Sequence, residues 1–167
     1  MEEAKMAQKL VIFGKEDMDD MKKELVERLK AFLYREDNLS LVGIAASQEE
    51  IASAQERLNV SFHADYVHFI QTFGGAYAGL AVHAFSNGSS IGKETVVELT
   101  LEFREQFEGS PFAELLESSY VISMDGSGDP IIINPDGQVL ICYHDNGEMK
   151  QLADSFEALI EDCFLEW

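Results

Sequence analysis

The sequence is short of basic residues, cysteines and long apolar runs, and each shortage excludes a class of protein. Its 12 lysines and arginines stand against 31 aspartates and glutamates, which gives a formal net charge of −19. Direct nucleic-acid binding is therefore not expected, because it needs a basic surface that displaces counterions from phosphates. The two cysteines have no Cys-x-x-Cys spacing and form neither a disulfide framework nor a zinc motif. No stretch approaches the ~20 apolar residues of a membrane-spanning helix, so no membrane partner is expected.

The remaining composition is that of a single globular domain. Of 167 residues, 46% are hydrophobic, 10% are aromatic and only three are prolines, unlike the composition of a disordered chain. We expect one domain over residues 1–167, with an N-terminal helical extension over about 1–40. The first residues, MEEAKMAQKLVIFG, lack the long apolar core and cleavage site of a secretory signal. This absence predicts a cytoplasmic protein.

The acidic residues are concentrated in the second half of the chain. Residues 1–90 carry 9 basic and 14 acidic side chains, whereas residues 91–167 carry 3 and 17. Such an excess is explained by solubility or by a surface that attracts a basic partner. Both explanations remain open at this point.

Apolar residues at helical spacing predict a series of helices. Ser47 and Glu50 form a capping box, which marks a helix start. In the aromatic helix, Gly74 suits a left-handed C-terminal cap after the core-facing aromatic residues Tyr66, Phe69 and Phe73. The predicted helices cover about Glu16–Arg35, Gln48–Leu58, the segment up to Phe73, Glu94–Phe107, Phe112–Leu116 and a closing helix in which Ser155 is the cap and Phe156 is buried.

Alternating and continuous apolar runs between turn residues predict the strands. They are expected at Leu80–Phe85, Tyr120–Met124, Pro130–Asn134 and Gln138–Tyr143. The segment Leu10–Phe13 fits a short strand or the start of a helix equally well. The predicted class is α+β, an antiparallel or mixed β-sheet flanked by α-helices.

One predicted helix carries most of its charge on one side. At 100° per residue, four glutamates and one leucine share a side opposite the Phe103 stripe, and Arg104 is the only basic residue among them. This side is either a solvated helix face or a surface for a basic partner. The candidate partner-binding residues are Glu94, Glu98, Leu101, Glu102 and Glu105.

The segment ISMDGSGDPIIINPDGQVLICYHDNGE places oxygen-bearing side chains beside glycines, a pattern found in metal loops and in turns. Aligned from Asp125 as a twelve-residue calcium loop, it has Pro130 where a glycine is required, and Asp136 is too short for the last ligand. Turns explain these residues better, because Gly137 and Gly147 can adopt positive φ. His144 then lies at a strand end. We therefore assign no metal ligand, cofactor-binding residue or catalytic residue.

Three stretches in order resemble the SUKH superfamily, which includes fungal Knr-type regulators of cell-wall synthesis, bacterial Syd proteins and many bacterial immunity proteins. The first runs from Ile51 to an aromatic helix and a glycine turn, although His63 and Ala64 stand where the family usually has a proline. The second is the hairpin segment quoted above, and the third is LADSFEALI; together they cover about residues 47–164. The matching positions, expected to be structural, are Tyr66, Phe69, Phe73, Gly74, Gly75, Asp125, Gly128, Asp129, Gly137, His144, Asp145, Ser155 and Phe156.

The resemblance implies a mixed α+β binding module without known catalytic residues. The first hypothesis is an immunity protein that binds and neutralises a cognate toxin, for example a nuclease, whose basic surface would suit an acidic protein. The second is an adaptor of the cell-wall regulator type. A third, from the residues alone, is a hydrolase that uses Asp125, Asp129, Asp136 and His144. Whether the chain forms a homodimer is left open.

Overall fold

The structure is a computed structural model that describes residues 21–164. The prediction for Leu10–Phe13 and the first part of the predicted Glu16–Arg35 helix lie outside these residues. The elements in chain order are α1 (Lys23–Leu33), a 3₁₀ helix (Glu36–Leu41), α2 (Gln48–Leu58), α3 (Ala64–Phe73), β1 (Ala76–Tyr77), β2 (Ala81–Val82), α4 (Val96–Gln106), α5 (Ala113–Glu117), β3 (Tyr120–Met124), β4 (Pro130–Ile133), β5 (Val139–Cys142), β6 (Met149–Ala153) and α6 (Phe156–Cys163).

Side-chain caps define the starts of two helices predicted from the sequence. At α2, the Ser47 hydroxyl accepts from the Glu50 amide at 3.1 Å, and the Glu50 carboxylate accepts from the Ser47 amide at 3.0 Å. At α6, the Ser155 hydroxyl accepts from the Ala158 amide at 3.0 Å. Because these bonds satisfy amides that lack partners inside the helix, each helix begins directly after its cap.

Helix α3 ends where two backbone segments meet closely. Gly74 has the predicted positive φ of 66°, but its ψ of −148° is not the left-handed conformation expected from the sequence. A Cβ atom on Gly74 would lie 2.2 Å from the Ile44 carbonyl oxygen. The segment before α2 runs beside this helix end, where the Gly43 amide donates to the Phe73 carbonyl at 3.0 Å. Glycine is therefore needed here for space as well as for conformation.

The main sheet is an antiparallel meander in the order β3-β4-β5-β6, and β1 and β2 form a separate two-stranded hairpin. This arrangement confirms the predicted α+β class. The strand predicted over Leu80–Phe85 is reduced to the two residues of β2, while β6 was not predicted at all. The hairpin joins the sheet through the His83 amide, which donates to the Ile122 carbonyl at 2.9 Å.

Both faces of the main sheet are covered, which explains why its central strands are continuous apolar runs. Residues from α1, α2, α3 and α6 pack on one face, against Ile131, Ile133 and Ile141. Residues from α4 and α5 pack on the other, against Ile132 and Leu140. The aromatic residues Tyr66, Phe69 and Phe73 belong to the first layer and are at most 1% exposed. No helix within residues 21–164 has the length and apolarity that crossing a membrane requires.

Arg104 fixes the position of α4 through its guanidinium group. Its nitrogen atoms donate to the carbonyls of Leu58, Leu116, Glu117 and Ser119 at 2.9–3.2 Å. Three of these carbonyls belong to the last residues of α2 and α5. Backbone oxygens at the C-terminus of a helix have no partner inside the helix. Burial lowers the pKa of Arg104 and the Glu117 carboxylate opposes this shift, but a guanidinium stays charged in proteins. One cation therefore holds two helix ends and the start of β3.

Replacing Arg104 tests this role. We expect Arg104→Lys to lower the free energy of unfolding by roughly 1.5–3 kcal/mol, since an ammonium cannot reach the same spread of carbonyls and hydrogen bonds from a charged group are worth about this much. Urea denaturation measures the change. The matched control Arg57→Lys, at an exposed position of α2, should stay within about 0.5 kcal/mol of the parent. Equal losses in both variants would contradict the role of Arg104.

Candidate binding surface

The acidic helix α4 begins two residues later than the sequence predicts. Thr95 is its cap: the Thr95 hydroxyl accepts from the Glu98 amide at 3.1 Å, and the Glu98 carboxylate accepts from the Thr95 amide at 3.0 Å. This Thr-x-x-Glu capping box was present in the sequence but was not recognised. Glu94 therefore lies before the helix. Its carbonyl accepts from the Asn87 side chain at 2.9 Å, which anchors the approach to α4.

Four of the five candidate partner-binding residues share the surface of α4 and its N-terminal flank. We call Glu94, Glu98, Glu102 and Glu105 the acidic face; all four are exposed. Leu101, which the helical spacing placed among them, is partly buried. It packs against the larger of the two core clusters, the one that contains Tyr66 and Ile131. The face is therefore more uniformly charged than the sequence suggested.

The only basic residue of α4 does not neutralise this face. Arg104 directs its guanidinium toward the backbone carbonyls of α2, α5 and the start of β3. The nearest basic residue along the chain is then Lys93, which is exposed and precedes Glu94. The acidic face consequently presents carboxylates to solvent without a cation from its own helix.

The aspartates of the first sheet turn organise the backbone. The Asp125 carboxylate accepts from the amides of Ser127 and Asp129, both at 2.9 Å. Gly128 completes this turn with a φ of 83°. These bonds support the turn interpretation of the segment, because one carboxylate oxygen of Asp125, Oδ1, accepts both amides of its own turn.

Asp129 and His144 connect the β3–β4 turn to the β5–β6 turn. Asp129 is 4% exposed, and its carboxylate accepts from the His144 amide at 3.0 Å and contacts Nδ1 of the His144 ring. The other ring nitrogen lies 3.0 Å from the Asp145 carboxylate. The family-motif residues Asp129, His144 and Asp145 thus form one cluster at one end of the sheet.

The topology separates one residue of the hydrolase hypothesis, Asp136, from the other three. In an antiparallel meander, the β3–β4 and β5–β6 turns lie at one end of the sheet and the β4–β5 turn lies at the other. Asp129 and His144 are therefore together, whereas Asp136 is separated from them by the length of β4, roughly 10–13 Å. Among residues 21–164 no group of three or more potential ligand side chains is placed to hold a metal ion.

His63 has a structural role that the sequence did not reveal. Its amide and its ring Nδ1 both lie 2.9 Å from the Tyr120 hydroxyl, and Nε2 lies 3.0 Å from the Pro135 carbonyl. Because a carbonyl only accepts, Nε2 carries the proton and Nδ1 accepts from the tyrosine. Burial raises the pKa of Tyr120 well above its usual range, so it remains a donor. This histidine ties the start of α3 to the β4–β5 turn.

The Asp129–His144 pair predicts a pH-dependent contribution to stability. The His144 amide is the main cause that lowers the pKa of Asp129 below 3.8, and the Asp129 carboxylate is the main cause that raises the pKa of His144 above 6.5. The Asp129 contribution is present above pH 3.8 and is lost as the pH falls through its lowered pKa. The His144 contribution is present below pH 6.5 and is lost as the pH rises through its raised pKa.

Replacing the His144 ring should therefore matter most in mildly acidic solution. We expect His144→Gln to lower the free energy of unfolding more at about pH 5.5 than at about pH 9, because the contribution of the His144 charge is lost as the pH rises through its raised pKa. Urea denaturation at the two pH values measures this difference. Asp136→Asn is the control, since Asp136 is exposed in the β4–β5 turn at the other end of the sheet and should change stability little. An equal loss at both pH values for His144→Gln would show that the charged pair contributes nothing.

Comparison with known proteins identifies the family of this chain. The family model described as SMI1 / KNR4 family (SUKH-1) matches residues 45–162, from just before α2 through most of α6. No curated protein matches the sequence. The matched range includes the acidic face, the aromatic helix and both ends of the main sheet. Since it spans more than half of the 167 residues, the chain belongs to the SMI1 / KNR4 family (SUKH-1), which confirms the resemblance to the SUKH superfamily.

Proposed function

We propose that this protein is a non-enzymatic immunity protein that neutralises a cognate toxin by covering a basic surface of that toxin. The observation that carries the proposal is the acidic face, from which the only basic residue of α4 is turned inward. Family membership supports a role in binding. The position of Asp136, at the other end of the main sheet from Asp129 and His144, disfavours the hydrolase hypothesis, which used these residues together.

Charge complementarity explains how such a protein could act. A toxin that cuts or modifies nucleic acid needs a basic surface to hold phosphates. The exposed carboxylates of Glu98, Glu102 and Glu105 offer that surface a competing partner. Long-range attraction between opposite charges accelerates association and depends on ionic strength. The whole chain, at −19, adds to this attraction.

Co-expression tests the proposed function directly. An immunity gene is expected beside a gene for its toxin, so the large neighbouring open reading frame is expressed in a bacterial host with and without this chain. Restored growth together with co-purification of the two proteins supports neutralisation. Co-purification with a neighbour that is not toxic would instead place the chain with the adaptors and contradict the proposal.

Charge reversal tests whether the acidic face contributes to association. We expect Glu102→Lys with Glu105→Lys to slow association with the co-purified toxin and to flatten its salt dependence, while folding is retained, because both side chains are exposed. Glu98 is left unchanged since its carboxylate caps α4. Stopped-flow binding over a salt series measures both effects.

The control for this experiment is Glu36→Lys with Asp37→Lys, on the exposed 3₁₀ helix. It changes the net charge by the same amount as the α4 pair but leaves the acidic face intact. Its association rate should fall less. Equal slowing by the two pairs would mean that only the overall charge matters and would remove α4 from the interface.

A further inference from the structure

A groove of about 560 Å³ lies between α2 and α4. We call it the α2–α4 groove. It runs beside the two capping boxes, where both helices begin, and it adjoins the acidic face through Glu98. Its lining residues are Glu49, Glu50, Ser53, Ala54, Arg57, Phe85, Thr95, Val97 and Glu98.

The floor of the groove is apolar. Ala54 and Val97 are 3% and 6% exposed and belong to the larger core cluster. Phe85 is partly buried, packs against the same cluster and also lines the groove. The apolar surface that an occupant can cover is therefore mainly that of Phe85.

The rim of the groove is acidic. Glu49 and Glu50 come from the first turn of α2 and Glu98 from the first turn of α4, and all three are exposed. Glu50 and Glu98 are held in place because one oxygen of each carboxylate accepts from a cap amide. Arg57 is the single basic lining residue, and no ion pair within residues 21–164 joins it to these carboxylates.

We infer that the α2–α4 groove receives an arginine side chain of the partner protein. The arginine side chain would pack on the partly exposed Phe85, on which its guanidinium could stack, and the rim carboxylates would accept its hydrogen bonds. A lysine matches the charge but lacks the planar group that stacks and binds two oxygens at once. A second copy of this chain is disfavoured because two chains of −19 repel each other.

This inference rests on the proposed function for its partner but can be tested without a toxin. The probe is the peptide acetyl-Gly-Gly-Arg-Gly-Gly-amide, titrated into the ¹⁵N-labelled full chain at about 0.15 M salt, where long-range attraction is screened over about 8 Å. The comparison peptides carry lysine or the neutral isostere citrulline in place of arginine. We expect the arginine peptide to shift the amide signals of Ser53, Phe85 and Val97, the lysine peptide to bind more weakly, and the citrulline peptide to have almost no effect.

Three variants separate the groove from general charge. Glu49→Gln with Glu98→Gln should weaken arginine-peptide binding about five-fold, as loss of two exposed ion pairs allows, while glutamine still serves in the capping box. Glu36→Gln with Glu56→Gln removes the same charge elsewhere and should change binding less than about two-fold. Arg57→Gln removes the rim cation and should strengthen binding. A thermal melt of each variant checks that it is folded.

The outcomes distinguish this inference from the proposed function. Equal weakening in both glutamate pairs, or signals that shift along the whole acidic face without preference for the groove, would overturn the groove as an arginine site. Co-expression rescue could still succeed in that case. Specific arginine binding in the groove without rescue by co-expression would support the groove as an arginine site and contradict the proposed neutralisation of a toxin.

Discussion

The guanidinium of Arg104 is the contact on which the arrangement of α4, α5 and the main sheet depends. Helix ends leave carbonyl oxygens without partners, and α2 and α5 both end beside this side chain. A positive charge at these negative ends is favourable in itself. Because Arg104, the one basic residue of α4, points inward, the exposed side of this helix carries carboxylates without a cation of its own.

The sequence was most informative where a local pattern decided the structure. The capping box at Ser47 and the apolar runs of β3, β4 and β5 predicted those elements nearly to the residue. Strand β6 was missed because it is an edge strand whose exposed residues Met149 and Lys150 form no apolar run. The late start of α4 was also missed, although Thr95 and Glu98 have the required spacing. The regular spacing of the glutamates in that segment led to a predicted helix start at Glu94, two residues too early.

Only part of the candidate surface could be predicted from the sequence. Helical spacing grouped Glu98, Glu102 and Glu105, but it could not show that Arg104 turns inward, since its acceptors come from residues 12 or more positions away. The α2–α4 groove likewise depends on how two helices distant in sequence pack. Conversely, the hydrolase hypothesis was plausible from the sequence because Asp129, Asp136 and His144 are close together along the chain. Strand direction alone sends Asp136 to the other end of the sheet.

The double use of Glu98, as helix cap and as surface carboxylate, limits how this protein can diversify. Substitutions at Glu102 or Glu105 alter only the exposed side of α4, so a lineage facing an altered partner could explore many residues there. At Glu98 most substitutions would also leave the Thr95 amide without its acceptor, and glutamine is the replacement that keeps the cap. Within the proposed interface, the charge of positions 102 and 105 can therefore vary without loss of a cap, whereas the capping box holds position 98 to glutamate or glutamine.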